Sequence, residues 1–280
     1  MRFAVEILSA VLLLLALQEL FRRSGRVVGW VFFGALPLVF TPHWIENSYH
    51  VGLCPQSPVF PVVKLYSMLF CACFATALRC TKLRNWRNML AAAYWLMIVN
   101  LLEAMVRDLV VDDLAHWLNA AACGLLMITL PVRPVSVKAA DKSGILDLHW
   151  SSTSRMWIVG YTLWNGVFVY LNFPDLCGRE IAVLAAALLV GMLRPERWLQ
   201  ARTYTLAADL LILFLWPSAV HGFIDTGDWN NVTARFLGAL ASISFLAIYA
   251  GRLSFLRLRF SWNSRQQKIF ASQCRLRPTP

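Results

Sequence analysis

The sequence predicts an all-α polytopic integral membrane protein. Its helical bundle has about nine transmembrane helices, an outside N-terminus and a cytoplasmic C-terminus. Three observations carry this. The 280 residues are 59% hydrophobic and 15% charged, where soluble domains carry about 25% charged residues. Nine stretches approach the roughly 20 apolar residues that a bilayer-crossing helix needs. The basic residues collect in every second loop, as the positive-inside rule requires of cytoplasmic loops. A mean hydropathy of +0.58 excludes a disordered chain. It also argues against a soluble enzyme, because one soluble core of this size does not bury so many apolar residues.

The spans follow in order. Phe3–Leu20 is the first, and Arg22, Arg23 and Arg26 follow it. A cleaved signal peptide carries its positive charge before the apolar run and a small-residue site after it, so the first span reads as a retained helix. Val27–Trp44 and Val59–Ala77 come next, joined by a loop without Lys or Arg. Arg79, Lys82, Arg84 and Arg87 precede Met89–Val110, and Asp112 and Asp113 precede Leu114–Leu130. The longest loop, Pro131–Arg155, is polar and reads as a hinge between bundle halves. Met156–Phe173 follows. Ile181–Leu193 is short and reaches span length only by starting near Asp175 or running through Arg194. Thr203–Phe223 and Phe236–Phe255 complete the set. Residues 1–258 thus form one transmembrane domain, and 259–280 a basic cytoplasmic tail.

The odd loops and the tail hold 21 of the 26 basic residues. The net charge of +11 therefore sets orientation and is no nucleic-acid footprint, so the expected partners are a lipid bilayer and a small solute or cation, with no nucleic acid. Small residues at Ala187-x-x-x-Gly191, Gly238-x-x-x-Ser242 and Ala120–Gly124 suit close helix approach. Trp44, Trp86, Trp117, Trp157 and Trp229 lie near span ends and read as interface anchors. Cys54 and Cys177 both fall in predicted outer loops, where a disulfide can form. Asn231-Val232-Thr233 is an acceptor sequon on the same side.

Ionisable groups inside a bilayer are costly unless paired or hydrated, so each is a functional candidate. Glu6, Lys64, Glu103, Arg107 and Asp209 qualify. Asn100, Glu103 and Arg107 lie at i, i+3 and i+7, one face of one helix. Glu103 can pair with Arg107 four residues on, or across helices with Lys64, which lies at similar depth. Lys64, Ser67 and Cys71 share a face of the third span. Tyr161, Asn165 and Asn172 share one of the sixth, and Arg202, Thr205, Asp209 and Trp216 one of the eighth. Asp209 has no cation within one turn and reads as a proton- or cation-linked carboxylate. Lys64, Asn100, Glu103, Arg107, Tyr161, Asn165, Arg202 and Asp209 are the candidate cavity residues.

His43, His50, His116 and His221 all fall on the outer side, among several aspartates. Asp112 with His116, and His221 with Asp225, are one helical turn apart, a plausible divalent-metal ligand set. Otherwise no cofactor is expected. No phosphate loop, dinucleotide fingerprint, nucleophile elbow or His-Glu-x-x-His pair is present.

Several motifs occur together: Val63-Lys64-Leu65-Tyr66-Ser67, Asn100 through Asp108, Trp117-Leu118-Asn119, Tyr161-Thr162-Leu163-Trp164-Asn165 and Trp198-Leu199-Gln200-Ala201-Arg202. Over roughly residues 60 to 210 the chain resembles a family of bacterial multi-pass membrane proteins described only as a domain of unknown function. The resemblance implies that architecture and a bacterial cytoplasmic (inner) membrane, not a reaction. It marks Lys64, Glu103, Arg107, Asp108, Asn119, Trp164, Asn165, Gln200 and Arg202. Members often carry an acidic residue at the place of Thr162 and a His at that of Ala201.

Three functions fit the residues. The first is a small-solute or cation carrier or channel with a polar cavity lined by spans three, four, six and eight. The second is a non-catalytic sensor or assembly subunit whose stripes are structural. The third is a membrane-embedded metal-dependent enzyme acting on lipid. The first is preferred, and an enzyme is the less expected outcome.

Overall fold

The computed structural model describes residues 2–48, 59–131, 135–139, 145–216, 224 and 226–275, and only the backbone of 45–48, 59–61 and 257–275. Helices α1 (Arg2–Arg23) and α2 (Arg26–Trp30) come first, and α2 continues through a π-helical turn, Val31–Ala35, into α3 (Leu36–Ser48). Then come α4 (Val59–Cys80), α5 (Arg87–Leu109), α6 (Leu114–Ile128), α7 (Arg155–Asn172), α8 (Cys177–Leu193), α9 (Trp198–Leu215) and α10 (Val232–Arg275). Counting α2 and α3 as one run, the described residues form nine long helical runs where nine spans are expected, and the chain is an all-α bundle. Six of them, including α1, α5, α8 and α10, are long and apolar enough to cross a membrane. The other three have physical reasons for falling short. α6 is apolar but has only 15 residues, and α7 and α9 dilute their apolar content with the polar stripes.

Two boundaries move. The short seventh span is completed at its N-terminal side, by a turn at Pro174–Leu176 that leads into α8 at Cys177. The eighth begins at Trp198, five residues before Thr203, which brings Leu199, Gln200, Ala201 and Arg202 into a buried first turn. Its expected end, 217–223, lies outside the described residues, as does Cys54. Asn231, read as a sequon, accepts a hydrogen bond from the Ala234 N–H at 3.0 Å and so caps the start of α10.

α9 is the axis of the bundle, with 13 of its 18 residues buried. It packs on α1, α4 and α8, while α10 packs on α6 and α7. Gly191 of α8 permits the close α8–α9 approach, since a Cβ there would lie 2.8 Å from Trp198 and 3.0 Å from Ile158. Two of the five tryptophans assigned to an interface are in the core instead: Trp44 and Trp157 are fully buried, whereas Trp86, Trp117 and Trp229 are exposed. Trp157 packs edge-on against Trp150 and Trp198, with centroids 5.5 and 5.3 Å apart. Its indole N–H donates to the Leu126 carbonyl at 3.3 Å, which removes the need for water at that polar tip.

The bundle has a basic end and an acidic end. At the basic end the supposed hinge folds into a hairpin, β1 (Ser136–Ala139) antiparallel to β2 (Leu146–His149), with Lys138 opposite Asp147. The hinge reading is corrected here, because Leu148 and Trp150 of this segment are buried. The fully buried Asp147 carboxylate receives Arg197 Nη2 at 2.9 Å and Arg22 Nη1 at 3.3 Å. Gln200 Nε2 donates to it at 3.3 Å, and Gln200 Oε1 accepts from the Leu148 N–H at 2.7 Å. Arg79 donates to the Leu146 carbonyl at 2.6 Å, to Tyr204 Oη at 2.9 Å and to the Phe21 and Arg22 carbonyls. It thereby satisfies the carbonyls that α1 leaves open at its C-terminus.

Removing Asp147 takes from Arg197 its buried carboxylate partner, while Arg22 keeps Glu19 at 2.7 Å. The Asp147→Ala variant is expected to lose about 3 kcal/mol or more of unfolding free energy, measured by thermal or denaturant unfolding. Lys138→Ala, on the exposed face of the hairpin, is expected to change it by less than about 0.5 kcal/mol. Equal losses would show that the Asp147 seat is not what holds the hairpin.

Burial pushes the His149 imidazole below its ordinary value of 6.5, against the opposing pull of Asp147 and Glu196. Arg197 and Lys138 push the same way as burial. The folded state then binds this proton less well than the unfolded one. Stability is full above pH 6.5 and falls as pH drops below it. Unfolding midpoints between pH 7.5 and 5.5 are expected to fall for the wild type and to fall less for His149→Gln.

Candidate functional site

The polar stripes converge. On α5, Asn100, Glu103 and Arg107 face Lys64 of α4, because positions three and four apart stack on one side of a helix. Lys64 Nζ donates to Asn100 Oδ1 at 2.8 Å and to Glu103 Oε2 at 3.0 Å. On the far side, α8 supplies Arg179 and Glu180, and α9 supplies Arg202 and Asp209. Arg179 pairs with Asp209, and Arg202 Nη2 lies 2.6 Å from Glu180 Oε1. All of these groups and Asn165 of α7 line one cavity of about 130 Å³. That space is roughly ten times what one water requires, so it suits a small polar solute or a water cluster. Tyr161 lines a second chamber of about 60 Å³, whose wall shares Asn100, Arg202 and Leu206 with the first. Asn165 Nδ2 donates to Tyr161 Oη at 3.0 Å, and the Arg202 guanidinium stands 6.0 Å from the Tyr161 ring.

Of the two partners open to Glu103, Lys64 stands 3.0 Å away, and Arg107 reaches α7, donating from Nε to Asn172 Oδ1 at 3.0 Å and standing 4.4 Å over the Phe173 ring. Asp209, without a cation in its own turn, acquires Arg179 from α8. The other stripe members divide. Asp108 is buried and receives Asn119 at 2.7 Å and Asn172 at 2.8 Å, and Thr205 bonds back to the Arg202 carbonyl at 3.2 Å. Ser67 bonds to the carbonyl of Lys64 and Trp216 is exposed. Glu6 lies away from the cavity, paired with Arg2 at 2.7 Å.

Sequence reasoning missed Arg179 and Glu180 as site residues. The signal was present: the seventh span was too short without them, and extending it toward Asp175 places both inside its first helical turn. The three wall carboxylates differ in cover. Glu103 is 41% exposed, against 15% for Asp209 and 12% for Glu180, so the Lys64–Glu103 pair stands at the open side.

At the acidic end, His116 Nδ1 meets Asp113 Oδ2 at 2.8 Å, and Arg235 of α10 lies 3.7 Å from the same carboxylate. The His116 hydrogen bond holds the Asp113 carboxyl below its usual range. Asp112, the expected neighbour of His116, is exposed. His221 and Asp225 lie outside the described residues. Among the described residues, no group of three or more His, Cys, Asp or Glu side chains is placed to hold a metal ion.

A model for DUF5692, a family of unknown function, matches residues 2–251. The chain belongs to that family, and the match extends the resemblance read over residues 60 to 210 to nearly the whole chain. No curated protein and no solved structure matches it.

The Arg202–Glu180 pair is the most deeply covered in the wall, so its two halves are strongly coupled. Arg202→Met and Glu180→Leu are each expected to cost about 3 kcal/mol, and the double variant less than their sum by at least 1 kcal/mol. A double-variant cycle in thermal unfolding measures this. Additive losses would mean that the two groups do not stabilise each other.

Proposed function

We propose that this DUF5692 protein is a multi-pass membrane protein that binds a small solute in the cavity between α4, α5, α7, α8 and α9, and that it acts as a carrier. The observation that supports this is the convergence of four independently spaced polar stripes on one space. A network that only glued helices together would have its polar groups closed on one another. Here seven of the eight candidate residues border a common volume, and Tyr161 borders the adjoining chamber. The wall carries four basic groups (Lys64, Arg107, Arg179, Arg202) and three acidic ones (Glu103, Glu180, Asp209). That mixture suits a polar or charged solute better than a bare cation.

The orientation proposed is N-terminus outside and C-terminus in the cytoplasm, in a bacterial inner membrane. The clustering of Arg22, Arg79 and Arg197 at one end and of Asp108, Asp113 and Asp228 at the other supports it. In that orientation the hairpin covers the cytoplasmic end, and the cavity opens toward the outer half. A second reading, a sensor or assembly subunit, is favoured by one observation: each wall carboxylate already has a basic partner.

Access of water separates the two. With the native cysteines replaced by alanine, Ala104→Cys, in the cavity wall, is expected to react in intact cells with a membrane-impermeant methanethiosulfonate reagent. Ala72→Cys, buried away from both chambers, is expected not to react. No labelling of Ala104→Cys from either side of the membrane would overturn the solute-cavity reading in favour of the subunit.

A further inference from the structure

Two guanidinium groups in the cavity wall have more donors than the protein supplies acceptors for. Arg179 gives Nη2 to Asp209, while its Nη1 is buried without an acceptor among the described residues. Arg202 gives Nη2 to Glu180, while its Nε and Nη1 are buried without a well-formed hydrogen bond among the described residues, the Tyr161 hydroxyl being the acceptor near them. The two residues are only 8% and 6% exposed. A buried unmatched donor costs about 1–3 kcal/mol, and more on a charged group, so three such N–H-bearing atoms on two residues of one wall are a demand for acceptor oxygens. A guanidinium can only donate, and its planar fork matches the paired oxygens of a carboxylate or phosphate.

The second chamber adds a different demand. It begins where the first ends, at Asn100, Arg202 and Leu206, and its further wall is apolar, with Met68, Phe74, Leu78, Met97 and Leu199. A bare oxyanion answers the guanidinium groups and leaves this chamber unused. An uncharged apolar molecule does the reverse.

Resting on the reading of the cavity as a binding site, we propose that its occupant is an acidic amphiphile. Its oxyanion head, carboxylate or phosphate, lies between Arg179 and Arg202, and its apolar chain lies in the chamber between α4, α5 and α9. Arg202, common to both walls, marks the junction of head and chain. Lys64 and Glu103, at the open side, face any polar substituent that the head carries.

The test uses the full chain purified in a neutral detergent, with binding read as a saturable rise in the thermal unfolding midpoint. The probes are dodecyl phosphate, dodecanoate, inorganic phosphate and dodecanol. Dodecyl phosphate or dodecanoate is expected to act at concentrations at least tenfold below inorganic phosphate, and dodecanol is expected to give no saturable shift. Whichever of the two acidic probes binds tighter identifies the head as phosphate or carboxylate. Arg202→Lys, which keeps Glu180 paired, is expected to weaken the acidic probes at least tenfold. Ala93→Phe, which fills the second chamber, is expected to abolish the advantage of a dodecyl over a butyl chain while leaving inorganic phosphate unchanged. If Arg202→Lys does not fold, the chain-length series on Ala93→Phe carries the test. Equal affinity for inorganic and dodecyl phosphate would overturn the amphiphile while leaving the solute cavity intact. Dodecanol matching dodecyl phosphate, or identical shifts in wild type and Ala93→Phe, would overturn it as surface adsorption. No binding of any probe together with unlabelled Ala104→Cys would remove the cavity reading as well.

Discussion

Arg202 is the charge that the rest of the bundle has to accommodate. Its side chain is buried within a set of apolar helices, and an unpaired charge in such surroundings costs many kcal/mol. It therefore requires Glu180 at 2.6 Å, and Glu180 requires the α8 start that Pro174–Leu176 provides. Once α8 is in register for that pair, Arg179 meets Asp209 and a second tie between α8 and α9 follows. The close approach at Gly191 keeps the two helices near enough for both ties to close. One buried guanidinium thus sets the register of two helices, and the cavity forms where their paired charges face α5 and α7.

The basic end solves the same problem in another way. Arg22, Arg79 and Arg197 converge there, and like charges so close repel unless something negative or strongly accepting lies between them. The hairpin supplies it. Asp147 takes Arg197 and shares Arg22 with Glu19, and the Leu146 carbonyl with the buried Phe21 and Arg22 carbonyls at the end of α1 takes Arg79. The hairpin is consequently part of the bundle and no hinge: its strands are short, but its anchor is a fully buried carboxylate with three partners. Gln200 joins the two regions, since it holds the hairpin at β2 and lies two residues from Arg202 on α9.

Much of this was legible in the sequence because helical periodicity is a strong local signal. Asn100, Glu103 and Arg107 at i, i+3 and i+7 could only share a face, and the alternation of Lys and Arg between loops separated the two ends before any contact was known. What was not legible depends on tertiary partners. The partner of Asp209 comes from another helix, 30 residues away, so its own turn offered no sign of it. Glu103 had two candidate cations, and spacing alone favoured neither the local Arg107 nor the distant Lys64. Asp147 looked like one more polar loop residue, because a buried carboxylate between arginines 22 and 197 leaves no local pattern. Trp157 stood near a span end, where interface anchoring and core packing share one sequence signature. Only its neighbours Trp150 and Trp198 decide between them.

The pairs around the cavity are not equivalent, and this difference separates holding the bundle together from recognising something in it. A purely structural ion pair does best when both partners are fully satisfied, because any leftover donor adds cost without adding cohesion. Lys64 meets that standard: its ammonium has two acceptors, and its partial exposure lets water take the third proton. Arg179 and Arg202 do not meet it. Each spends one nitrogen on a carboxylate and keeps at least one more buried in the cavity wall without a well-formed hydrogen bond among the described residues. Glue alone would be better served by Lys or Met at these positions, with fewer donors to satisfy. The planar, five-donor group at both positions leaves donors of the kind that paired oxygens answer. In the proposed reading, those oxygens belong to the head of the ligand.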